Sequence, residues 1–101
     1  MTWDAQDQLL IAERRCQSYQ EMIAAGQDWC RVPYEIARQW IELLRRERFS
    51  AAEAAALVQR CDECKGADLD PSFFAMSDAI RHWYRAAYEA ELSETFRKTI
   101  T

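Results

Sequence analysis

The stretch Ser50-Ala51-Ala52-Glu53 decides how this chain is read. A Ser three positions ahead of a Glu, opening an Ala-rich apolar run, is a capping box. The hydroxyl accepts from the backbone N–H of the third helical residue, and the carboxylate reaches back to the N–H of the Ser. Both side chains thereby satisfy donors that a helix start otherwise leaves unpaired. A helix is predicted over residues 51–64, ending before Gly66, with a tight turn at Phe49-Ser50 ahead of it.

Working upstream, Pro33 suits a first helical position because its missing N–H has no partner there. Ala37, Trp40, Ile41 and Leu44 then share one face, with Arg38, Arg45, Arg46 and Arg48 off it, which predicts a helix over residues 33–48. Before it, Ala5, Leu9, Ala12, Cys16, Tyr19 and Ile23 recur at steps of four and three, the period of one apolar helical seam. That helix is expected over residues 4–25, capped by Thr2 or Asp4 and ended by a left-handed Gly26. Downstream, Asp70-Pro71 pairs a cap with a first-turn Pro, and Leu69 and Phe74 occupy the two positions of a hydrophobic staple. The last helix is expected over residues 71–96. Four helices with short connections predict an all-α fold, a small four-helix bundle-like domain with a long C-terminal helix, one domain across residues 1–101.

Composition agrees. The 101 residues include two Gly and two Pro, with half apolar and 30% charged, which favours long regular elements over disorder or a turn-rich β-fold. Sixteen of the apolar residues are Ala, so the twelve aromatic rings must supply most of the core volume. Formal net charge is −4, and neither half is basic: residues 1–49 carry a net −1 and residues 50–101 a net −3. This charge disfavours a non-specific grip on nucleic acid or on an anionic membrane. The longest apolar run near the start, Leu9-Leu10-Ile11-Ala12, is too short for a signal-peptide core or a membrane span, and a cytoplasmic location with reduced thiols is the expectation.

Each motif with chemical potential has a structural reading beside the functional one. Cys61-Asp62-Glu63-Cys64 is a C-x-x-C, but at a helix C-terminus the dipole, Asp62 and Glu63 all oppose a thiolate. A zinc site would need two more ligands from Cys16, Cys30 and His82, none at a second paired spacing, so the four thiols read as small apolar groups. The second and third helices have the outline of a helix-turn-helix. The would-be recognition helix presents Ala, Glu53, Gln59, Asp62 and Glu63, with only Arg60 and Lys65 to meet phosphate. Arg45, Arg46 and Arg48 read as a solvated helix end complementing the dipole. Glu91 and Glu94 form an E-x-x-E, a spacing used by carboxylate metal sites, yet Asp78 and Glu89 fall off its stripe and the pair reads as a solvated face. His82 has no nucleophile partner at a recognisable spacing and no Gly-rich loop nearby, and reads as a surface or interface residue.

The last helix carries more apolar surface than one packing face needs. At about 100° per residue, Phe73, Met76, Ile80, Trp83, Tyr84, Ala87 and Tyr88 form one stripe, and Phe74, Leu92 and Phe96 widen it to roughly 220°. Ala75, Ala79, Ala86, Ala90 and Ser93 around His82 form a second face open to close approach. This helix reads as the central core element wrapped by the other three, or as one whose aromatic face binds another chain, and both hold if it is central in a homodimer. Arg81, Trp83, Tyr84, Arg85 and Tyr88 are the candidate partner-binding residues, of the types enriched at interfaces. No catalytic constellation and no cofactor or metal site is implied. The expectation is a non-enzymatic protein-binding regulator: an inhibitor, anti-activator or adaptor. It would mask a surface of a larger protein, such as a transcription factor or nucleic-acid effector machine, and pair as a homodimer. A small helix-turn-helix DNA-binding regulator and a zinc-stabilised helical module are the alternatives.

Overall fold

Four helices form close to where the sequence predicts them. The computed structural model describes residues 4–46, 49–64 and 71–100, with side chains as far as residue 97. Helix α1 runs Ala5–Ala24, α2 Arg31–Arg45, α3 Ala51–Glu63 and α4 Pro71–Ile100, with one 3-10 turn, Asp28–Cys30, ahead of α2. Among the described residues there is no strand, and the fold is all-α and bundle-like. Asp4 caps α1 by accepting from the N–H of Gln6 at 3.2 Å. Gly26 leaves α1 at φ 96°, the left-handed region that disfavours a Cβ. An added Cβ there would meet nothing within 4 Å, so the requirement is conformational and not steric. The capping box of α3 is complete: Glu53 N–H donates to Ser50 Oγ at 3.2 Å, and Ser50 N–H to Glu53 Oε1 at 3.4 Å.

Some boundaries differ from the sequence reading. Helix α2 begins at Arg31, because the 3-10 turn runs straight into it and supplies the first turn. Pro33 is thus the third helical residue, still within the turn whose N–H groups have no intrahelical acceptor. Helix α2 ends at Arg45, and α4 continues past Phe96 to Ile100. The predicted positions Thr2, Arg48, Gly66, Leu69 and Asp70 lie outside the described residues.

Packing joins α1 to α2 and α3 to α4 as two pairs, with α2 and α3 closing the bundle between them. Tyr19, Ile36, Trp40, Leu57, Phe73, Met76 and Ile80 fill the core, each almost wholly removed from water. Burying side chains of this size contributes roughly 1.5–3 kcal/mol each before the entropy of ordering them is counted. The expectation that α4 is wrapped by the other three helices is corrected. Its first half sends Phe73, Met76, Ala79 and Ile80 into the core, but α4 packs chiefly on α3 and meets α1 and α2 only slightly. Every described side chain from Tyr88 to Arg97 is exposed, with Glu91 reaching back to the start of α3. A helix of 30 residues is about 45 Å long. Its length accounts for the elongated shape, 58 × 27 × 21 Å.

Candidate functional site

The free half of α4 has two sides, and the sequence-predicted contact residues divide between them. Arg81, Tyr84, Tyr88 and Leu92 follow one seam at helical spacing, with Arg85 and Phe96 on its shoulder. Tyr88 is 48% exposed, Leu92 52% and Phe96 66%. The Tyr84 and Tyr88 rings lie 6.1 Å apart at a tilt. Together with Val58 of α3, Arg81, Arg85 and Glu89 they border an open groove of about 680 Å³. Arg81 is held in place by an ion pair with Asp62 near the end of α3. Arg85 and Glu89 are exposed, and among the described residues neither enters an ion pair or hydrogen bond. Four of the five predicted residues therefore share one surface.

Trp83 is the fifth, and it faces the other way. It packs edge-on against Trp40 with ring centroids 6.4 Å apart and at a tilt against Phe49 at 6.0 Å, while Trp40 and Phe49 are 6.2 Å apart. This three-ring cluster ties α2, the α2–α3 connection and α4 together. The Trp83 indole N–H is buried and, among the described residues, has no acceptor. Beyond it lies a second groove, about 530 Å³, lined by Phe49, Ala86, Ala87, Ala90, Glu91 and Glu94. The predicted small-residue face is thus divided: Ala79 packs inside the core, whereas Ala86 and Ala90 line this groove. His82 is exposed.

Glu91 is the residue whose role sequence reasoning missed. It reads as one half of a solvated E-x-x-E, yet its Oε1 accepts the backbone N–H of Ala51 at 2.8 Å. A carboxylate at this place satisfies the first donor of α3 and faces the positive end of its dipole. Ser50 and Glu53 serve the third donor and the cap residue, so three side chains from two helices finish one helix start. The Ser50-Glu53 spacing hinted that this terminus was important, but nothing local pointed to position 91.

Burial opposes the thiolate at three of the four cysteines. Burial pushes the Cys61 thiol up to about 11, against the opposing hydrogen bond from Ser77, and burial also raises Cys16 and Cys64. No disulfide links Cys16, Cys30, Cys61 and Cys64. Among the described residues no three His, Cys, Asp or Glu side chains gather as metal ligands would. On α3, Arg60 donates to Glu35 at 2.9 Å, so this cation is engaged by α2, leaving Gln59, Asp62 and Glu63 on the exposed face. Among the described residues no helix is long and apolar enough to cross a membrane. No protein family, curated protein or solved structure matches the chain.

Proposed function

We propose that this protein is a non-enzymatic binding protein that masks a surface of a larger protein or complex, such as a transcription factor or a nucleic-acid effector machine. It would act as an inhibitor, anti-activator or adaptor. The observation that carries this reading is the seam of half-buried Tyr84 and exposed Tyr88 and Leu92 on α4, with exposed Phe96 on its shoulder. Apolar side chains scattered singly on a surface are ordinary, but a continuous aromatic and aliphatic row beside Arg81 and Arg85 has the composition of an interface core. A helix that presents anchors at successive turns fits a groove on a partner.

A photo-crosslinking side chain placed at position 88, and separately at exposed Gln20 on α1, tests the reading in the source cells. The expected outcome is one heterologous adduct of defined mass from position 88 and none from position 20. Adducts from neither position, or equal yields from both, overturn it.

A further inference from the structure

We infer that the α4 seam accommodates a second copy of this chain, related by a two-fold axis that crosses α4 at the level of Ala87 and sets the two helices antiparallel. This inference rests on the reading of the free half of α4 as a binding surface and assigns one occupant to it. The supporting relationship is the charge pattern on the shoulder of the seam. Arg85 and Glu89 lie one turn apart on the same flank, both exposed, with no ion pair among the described residues.

In an antiparallel pair, the residue n positions before the axis meets the residue n positions after it on the other copy. An axis at Ala87 therefore sets Arg85 against Glu89 of the second copy, and Glu89 against its Arg85. One surface satisfies itself twice, as a closed two-fold interface requires. Opposite charges placed this way also select orientation, because a parallel pair in register would bring like charges level with one another.

The apolar side chains obey the same axis. Tyr84 and Tyr88 are centred on Ala86, one residue from it, so each Tyr88 meets the other copy between its Tyr84 and Tyr88 rings. Leu92 of the second copy comes level with residue 82, over the part of the groove that Val58, Arg81 and Tyr84 line, with Tyr88 and Leu92 lining the rest of it. Leu92, 52% exposed, is the side chain that the second copy brings to that groove. The exposed row itself borders the groove, which runs along α4 from Arg81 to Leu92, and the two-fold lays the row of each copy along the groove of the other. The seam is shared with the larger partner of the proposed function, so that partner competes with the second copy.

Sedimentation equilibrium over about a hundredfold range of protein concentration measures the pairing by mass action. It is run on the full chain and on R85E, E89R and the double variant R85E/E89R. Circular dichroism and the denaturant midpoint at the lowest concentration verify that each variant is folded. The wild type is expected to dimerise, each single variant to weaken the dimer at least about tenfold by setting like charges face to face, and the double variant to recover it. A wild type that stays monomeric throughout overturns the inference, as does a dimer unaffected by the single exchanges, or a double variant no tighter than the singles. These failures leave the crosslink from position 88 to a heterologous protein unaffected. Loss of that crosslink with the charge pattern intact identifies failure of the functional reading instead.

Discussion

Glu91 of α4 and Ala51 of α3, separated by 40 positions in the chain, are joined by a hydrogen bond in which the carboxylate accepts the first backbone N–H of α3 at 2.8 Å. The bond couples the position of the free half of α4 to the stability of another helix's start. Replacing Glu91 with Ala is expected to lower stability by about 1 kcal/mol, the size of a lost cap. Glu91→Gln, which keeps an acceptor oxygen, should lose less. Denaturant midpoints give the size, and faster hydrogen exchange at the Ala51 amide gives the location. An unchanged Ala51 exchange rate in Glu91→Ala would show that the contact is not made in solution.

The capping box makes a separate prediction. Ser50→Ala is expected to cost about 1 kcal/mol and Glu53→Ala less, with the double substitution costing less than their sum because the two side chains form one reciprocal unit. Additive losses would mean that each side chain acts alone. Glu53 also pairs with Arg46, so Arg46→Ala is the control for the ion-pair share of its effect.

Trp83 and Tyr88 should behave oppositely although five residues apart. Trp83→Ala removes one ring from the Trp40–Phe49 cluster and is expected to cost roughly 3 kcal/mol, as large-to-small core changes do. Tyr88→Ala should change the stability of the monomer by no more than about 0.5 kcal/mol, the usual range for surface positions. Urea unfolding of both substitutions in an Arg85→Glu background keeps self-association out of the comparison. A large loss for Tyr88→Ala would place that ring in the core and remove it from the seam.

Cys61 gives the protein a defined alkaline weakness. Its thiol is raised from 9.0 to about 11, chiefly by burial, so the folded state holds the proton more tightly than the unfolded chain does. The stabilisation associated with the neutral thiol is complete below pH 9.0 and is lost as pH rises from 9.0 through about 11, where the unfolded chain gives up its proton first. A slope of stability against pH that is steeper in the wild type than in Cys61→Ala over this window is the expected outcome. Matching slopes would assign the alkaline loss to other groups. Alkylation of Cys61 in the folded protein should be slow for the same reason.

What the sequence made legible was local. The Ser50-Glu53 box, the Asp4 cap and the Gly26 exit depend on residues within three positions of one another or on one residue's φ, and each is present. Pro33 fits any position of a first turn and so does not fix the start of α2, and periodicity does not reveal the 3-10 turn at Asp28. The site was half legible. Helical spacing puts Tyr84 and Tyr88 on one stripe beside Arg81 and Arg85, which follows from α4 alone, but it puts Trp83 on the same stripe. The turning of Trp83 to Trp40 and of Glu91 to Ala51 depends on how α4 lies against α2 and α3. The angle between helices is fixed by side chains from distant parts of the chain, which no single segment encodes.

Among the described tryptophans, Trp29 sits beside Tyr19, Trp40 lies in the core, and Trp83 alone belongs to α4, two turns ahead of Glu91. The protein therefore carries an optical gauge at the root of its free helix. An occupant that tilts or rotates that helix must alter ring packing now set at 6.0 and 6.4 Å, and with it the ultraviolet emission and near-ultraviolet dichroism of the indole. An occupant that accepts the helix as it stands leaves both spectra unchanged, so a label-free titration distinguishes rigid docking from remodelling.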